Sequence, residues 1–131
     1  GQEIILNAVF AGGLIPSSYY LGLDSRSSLA VADNLASLLD EPSTNGYTRF
    51  TANTSSDFTI SADTSGNFKS QSVLLTFIAA GGSWGPVKNL FMSSSSDNAG
   101  KLISSVALSE TLTLVDGDII NLRINLSLTD C

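Results

Sequence analysis

Residues 120–129 read Ile-Asn-Leu-Arg-Ile-Asn-Leu-Ser-Leu-Thr. Ile120, Leu122, Ile124, Leu126 and Leu128 are apolar, and Asn121, Arg123, Asn125, Ser127 and Thr129 between them are polar. Alternation with period two is the signature of a strand with one face in a core and the other in water or against a neighbour. Asp116-Gly117-Asp118 reads as the turn before it, and the Leu112/Leu114 alternation as the end of a preceding strand.

Working back from this stretch, the same pattern repeats. Lys101–Leu108 and Val87–Met92 read as strands joined by the small polar loop Ser93–Gly100. Gln71–Ala79 is a near-continuous apolar run of strand length, expected to be buried on both faces. Ser56–Ala62, Tyr47–Ala52 and Ser18–Leu23 complete the set, with turns at Asp63–Asn67, Ser43–Gly46 and Asp24–Ser28. About eight short strands separated by turn residues imply a mainly β, sandwich-type domain, of jelly-roll-like or immunoglobulin-like order. One or two short helices are expected in the N-terminal third: Ile5, Leu6, Val9 and Phe10 share a helical face before Gly12-Gly13, and Leu29–Asp40 precedes Pro42. Residues 1–131 are expected to form a single domain, with 1–13 as a helical or arm-like segment.

Composition excludes much chemistry. The 131 residues hold 12 acidic and 6 basic side chains, for a net charge of −6, with no histidine and a single cysteine, Cys131. Charged residues are 14%, against about 25% in an average soluble domain. Without histidine there is no Ser-His-Asp or Cys-His nucleophile pair and no imidazole metal site. One cysteine gives no internal disulfide framework and no zinc knuckle. Six scattered basic residues do not make a nucleic-acid surface, which needs clustered Lys and Arg. The apolar run Val73–Ala80 is too short to span a bilayer. No enzyme activity, cofactor or metal is expected. A weakly charged surface suits a subunit covered by other subunits.

The candidate contact residues are Ile5, Leu6, Val9 and Phe10 in the amino segment, with Tyr47, Arg49 and Trp84. Tyr47 and Arg49 fall on one face after an Asn-Gly turn, where a guanidinium stacks on a phenol ring or pairs with a carboxylate. Trp84, flanked by Gly82 and Gly85, reads either as a core plug at a sheet corner or as a contact platform. With Tyr19 and Tyr47 it would form an exposed aromatic shelf for a glycan or protein. Asp40-Glu41 reads as a helix end rather than a catalytic pair. Asp116 and Asp118 read as a turn rather than a calcium loop. The sequons Asn53-Thr54-Ser55 and Asn125-Leu126-Ser127 carry no weight, being common by chance.

These landmarks, in order, resemble a family of small bacteriophage virion proteins described as tail fibre or head decoration proteins. The resemblance rests on Leu6-Asn7-Ala8-Val9-Phe10, Tyr20-Leu21-Gly22-Leu23, Leu35–Leu39 with Glu41-Pro42, and Asn45-Gly46-Tyr47-Thr48-Arg49. It continues through Phe77, Gly82-Ser83-Trp84-Gly85-Pro86-Val87, Gly100-Lys101-Leu102, Ala107-Leu108 and Asp116-Gly117-Asp118, covering residues 6–128. Lys88-Asn89-Leu90 and the Ser93–Ser96 run depart from the family pattern. The resemblance implies a β-sandwich without catalysis. The leading expectation is a decoration or cement protein on the outer capsid surface, bridging major capsid protein subunits and associating with itself, as a homotrimer. The alternative is a tail-fibre or tail-tip module that binds a host glycan or protein.

Overall fold

A computed structural model describes residues 10–14, 16–27, 29, 34–37, 41–62 and 64–127. Nine strands run in the order β1 (Ser18–Asp24), β2 (Phe50–Asn53), β3 (Phe58–Ala62), β4 (Phe68–Ser72), β5 (Leu75–Ile78), β6 (Trp84–Ser93), β7 (Leu102–Leu114), β8 (Ile119–Leu122) and β9 (Asn125–Ser127). All pairings are antiparallel, and the sheet orders are β2-β1-β6-β7, β3-β4-β9 and β5-β8. The mainly β expectation is met. Of the expected helices, the described residues hold a 3₁₀ turn, Leu35–Ser37; residues 1–9, with Ile5, Leu6 and Val9, lie outside them, as does Cys131.

The inner strands of the four-stranded sheet, β1 and β6, are largely buried on both faces where Leu21–Asp24 meets Asn89–Met92. Pairing sets Leu21 opposite Met92 and Leu23 opposite Leu90 on one face, and Gly22 opposite Phe91 and Asp24 opposite Asn89 on the other. The first face meets Leu75, Phe77, Val87, Trp84 and Leu114 in the main core, with Phe58, Ile120, Leu122 and Ile124 packed around it. The second face carries a smaller cluster of Phe91 and Leu35, flanked by Leu29 and Leu102. A Cβ at position 22 would fall inside the Phe91 ring, so glycine is what lets this ring lie flat across β1.

The two smaller sheets are one bent ribbon. Gln71 pairs with Asn125, and Leu75 with Leu122, so the ladder slips by one residue between them. A slip of this kind bends a strand pair and lets it pass from one sheet to another. Ser72, buried, holds the bend: its N–H donates to the Ile124 carbonyl at 2.9 Å, and its Oγ accepts the Ile124 N–H at 2.8 Å. The stretch 120–129 is therefore not one strand. Its alternation persists through Ile120, Leu122 and Ile124, but the chain changes partner at Arg123.

Gln71–Ala79 differs in the same way. Leu75, Phe77 and Ala79 are buried, but Val73, Leu74 and Ile78 are about half exposed, at 47, 52 and 53%. The run faces the core on one side only, because nothing among the described residues covers its outer face. Lys101–Leu108 and Leu112–Leu114 merge into the single 13-residue β7. Its ladder with β6 jumps from Ala107–Asn89 to Leu112–Val87, so residues 108–111 bulge outward.

Candidate functional site

Two places bring distinctive side chains together. The first is built on the Asn45-Gly46 turn. Asn45 and Gly46 both have positive φ, 57° and 74°, and the Tyr47 N–H donates to the Thr44 carbonyl at 3.2 Å. This is a type I′ turn, for which Asn-Gly is the favoured pair. Trp84 Nε1 donates to the Asn45 carbonyl at 3.0 Å, and the Asn45 amide donates to the Ser83 carbonyl at 2.8 Å. The turn is thereby docked on the start of β6. The Trp84 indole, 3% exposed, meets the Tyr47 ring edge-on at 5.2 Å between centroids.

From there the chain runs inward. The strand expected from Tyr47 begins only at Phe50, because β1 pairs with β2 no further than Leu21–Phe50. Beyond that point a side chain replaces the missing ladder partner: the Tyr47 hydroxyl accepts the Leu23 N–H at 2.8 Å. It donates in turn to Glu41 Oε1 at 2.8 Å. Burial, then the Glu41 charge, pushes the Tyr47 hydroxyl well above its ordinary range, so it stays protonated.

Arg49 completes the arrangement. Nε and Nη2 grip the two Glu41 oxygens at 2.9 and 2.8 Å. Nη1 donates to the Ser95 and Asp97 carbonyls at 3.1 and 2.6 Å, and Nη2 also donates to Asn98 Oδ1 at 2.6 Å. A guanidinium has five N–H donors, and these five bonds use all of them. Its carbon lies 5.1 Å from the Phe91 ring centroid. Burial pulls its pKa down, but the hydrogen bonds and charge of Glu41 outweigh this, and the net shift is upward. Asp97, on the surface of the same loop, is held below the usual carboxylate range by the Ala99 N–H and then the Ser95 hydroxyl.

Tyr47 and Arg49 both reach Glu41, and Trp84 packs on Tyr47, so the three are gathered inside the molecule. Arg49 is buried, Trp84 is buried and Tyr47 half-buried, so they offer no exposed aromatic shelf. Trp84 is a plug. Glu41, first read as a helix end, is the carboxylate that Arg49 pairs with, and the Ser93–Gly100 loop, first read as merely solvated, supplies three of the five acceptors. Phe10 is 80% exposed. Asp118 holds its own turn, its Oδ2 accepting the Val115 N–H at 2.9 Å, and Asp116 ties that turn to the neighbouring loop, its Oδ1 accepting the Gly81 N–H at 2.7 Å. Asp40 lies outside the described residues. Among the described residues there is no group of three or more acidic or thiol side chains suited to a metal ion, and no helix long and apolar enough to cross a membrane.

The second place is an open cleft of about 300 Å³ between the four-stranded sheet and the end of the bent ribbon. Leu90, Met92, Ser104 and Val106 line one side, and Ile124 and Leu126 the other. Val106 and Leu126 remain 56 and 40% exposed. The sequence reading names none of these as a contact residue; it places Ile124 and Leu126 on the apolar face of a strand.

Fold and interior together define a small antiparallel β module whose most chemically capable side chains bind its own loops. The model of the family described as Podophage GP4 fiber I protein gp80 matches residues 2–129, and the chain belongs to that family. It is a bacteriophage virion structural protein. No curated protein matches it.

Proposed function

We propose that the chain is a non-enzymatic building block of the phage tail-fibre apparatus. The observation that carries this reading is the family match, whose description names a fibre protein and which spans nearly the whole chain. The interior supports a structural role: Glu41, Tyr47 and Arg49, the groups best able to do chemistry, are spent on holding the turn, β1 and the Ser93–Gly100 loop together. Such a module acts through the surfaces it presents to neighbours, namely other virion subunits, copies of itself and the host surface. It needs no cofactor.

The competing placement is decoration of the head, with the chain bridging major capsid protein subunits. The family description favours the fibre. Copy number and location decide between the two. Gold-labelled antibody against the chain should mark tail appendages of purified virions, with at most a few dozen copies per particle by quantitative mass spectrometry. Labelling spread over the head, with hundreds of copies, would overturn the fibre reading in favour of capsid decoration.

A further inference from the structure

The sandwich is left unfinished along one side. β7 is the longest strand, 13 residues, yet it is the outermost strand of its sheet. The other outermost strands are short: β2 has 4 residues, β3 has 5 and β9 has 3. Proteins commonly keep edge strands short, charged or interrupted by proline, because a long edge offers unpaired N–H and C=O groups to any passing strand. Residues 102–109, Leu-Ile-Ser-Ser-Val-Ala-Leu-Ser, contain no charge and no proline. Five of the first six, all but Ile103 at a register shift, pair with β6, and among the described residues they have a strand on that side only, before the bulge at 108–111. Across the apolar cleft stands β9, itself an outermost strand. Two sheet edges therefore flank one opening, with Val106 and Leu126 exposed at its rim.

We propose that this side is a self-association surface, on which the β7 of a second copy pairs antiparallel with the β7 of the first. The reading does not depend on whether fibre or head carries the chain. Three observations select a second copy as the occupant. An antiparallel pair of identical strands is closed by a two-fold axis, so one segment supplies both halves of the interface. Residues that face each other in such a pair lie on the same side of the sheet. With Ser105 on the axis, Ser104 then faces Val106: the central pairs are uncharged and each contains a small side chain, which permits close approach. This matters in a chain of net charge −6, where a contact free of carboxylates avoids like-charge repulsion. Finally, Ser104, Ser105 and Val106 line the cleft, with Ser104 opposite Met92 and Val106 opposite Leu90. The partner's Val106 therefore arrives at the cleft mouth, where apolar surface is already exposed. The product is a continuous eight-stranded sheet with the opening covered.

The test is the mass of the purified full chain by light scattering from micromolar to submillimolar concentration. The expected result is a concentration-dependent species at twice the 13.6 kDa chain mass. Val106→Lys should return it to monomer with an unchanged circular dichroism spectrum. Ile119→Lys, equally exposed at 56% but on β8, should leave the dimer intact. In a Cys131→Ser background, Ser105→Cys should link two copies by a disulfide under mild oxidation, and Thr113→Cys should not. If Val106→Lys fails to fold, this cross-linking pair decides. A monomer at all concentrations overturns the proposal, including one that instead binds another virion protein along β7. So does a trimer, an oligomer that survives Val106→Lys, or one abolished by Ile119→Lys.

Discussion

The two ends of the same four-stranded sheet are finished in opposite ways. At β1 and β2, where the ladder runs out, Tyr47, Glu41 and Arg49 take over the missing bonds, and each guanidinium donor has an acceptor. At β7, among the described residues, the ladder stops, with exposed small and apolar side chains beside an open cleft. A buried charge is costly unless fully paired, so a chain with only 18 charged residues among 131 that commits a bidentate pair to one end uses it to fix loop positions. An end left neutral and unpaired costs little in an isolated subunit and is suited to a partner. The first end fixes shape, and the second offers surface.

This contrast can be broken at several points. The largest effect is expected at the closed end. Arg49→Met leaves Glu41 without its ion-pair partner and three loop acceptors empty, and should cost about 3–5 kcal/mol in urea unfolding, the range for breaking one side of a buried pair. Arg49→Lys should recover only a minor part, since an ammonium cannot span both carboxylate oxygens and the loop carbonyls. A cost below about 1 kcal/mol, at the level of surface pairs, would show that the network is incidental. Gly22→Ala forces the Phe91 ring, and with it Arg49, off the sheet; about 1–3 kcal/mol is expected, the range for overpacking.

Tyr47→Phe removes the acceptor for the Leu23 N–H and a donor to Glu41, and should cost about 1–3 kcal/mol. It should also change the alkaline limb of the stability curve. The folded chain holds the Tyr47 proton above the ordinary value of 10.0. Above that pH the unfolded state has lost a proton that the folded state keeps, so stability falls as pH rises. The variant should show a shallower fall, measured as urea midpoints from pH 9 upward. The smallest effects are expected at the surface. Asp97→Asn should remove a slight stabilisation that the wild-type chain has above the ordinary value of 3.8 and loses as pH falls through the depressed folded value. Val106→Lys, at the open end, should change monomer stability by no more than about 0.5 kcal/mol.

How much of this was legible in the sequence depends on the range of the interaction. The Asn45-Gly46 turn was readable because its signal is local: only residues tolerant of positive φ fit there. The alternation from Ile120 was readable as a face, but not as sheet membership. The change of partner at Arg123 is fixed by Ser72, which bonds Ile124 from 52 residues away, and no local pattern announces it. Tyr47 and Arg49 were readable as a same-face pair, and the carboxylate as a kind of partner. That it is Glu41 was hidden, because the segment before it resembled a helix end. The Ser93–Gly100 loop acts mainly through the Ser95 and Asp97 backbone carbonyls, which every sequence has, with the Asn98 side chain beside them. The open cleft was invisible for a related reason: which strand lies outermost is a property of topology, not of composition.

Hydrogen exchange followed by mass spectrometry, at low and high protein concentration, tests the central contrast most directly. Peptides covering Leu21–Asp24 and Phe50–Asn53 should be strongly protected at both concentrations. Peptides covering Leu102–Ser109 should exchange faster when dilute and become protected when concentrated. Equal protection of the two regions at low concentration, or rapid exchange of the Leu23 amide behind Tyr47, would contradict the account.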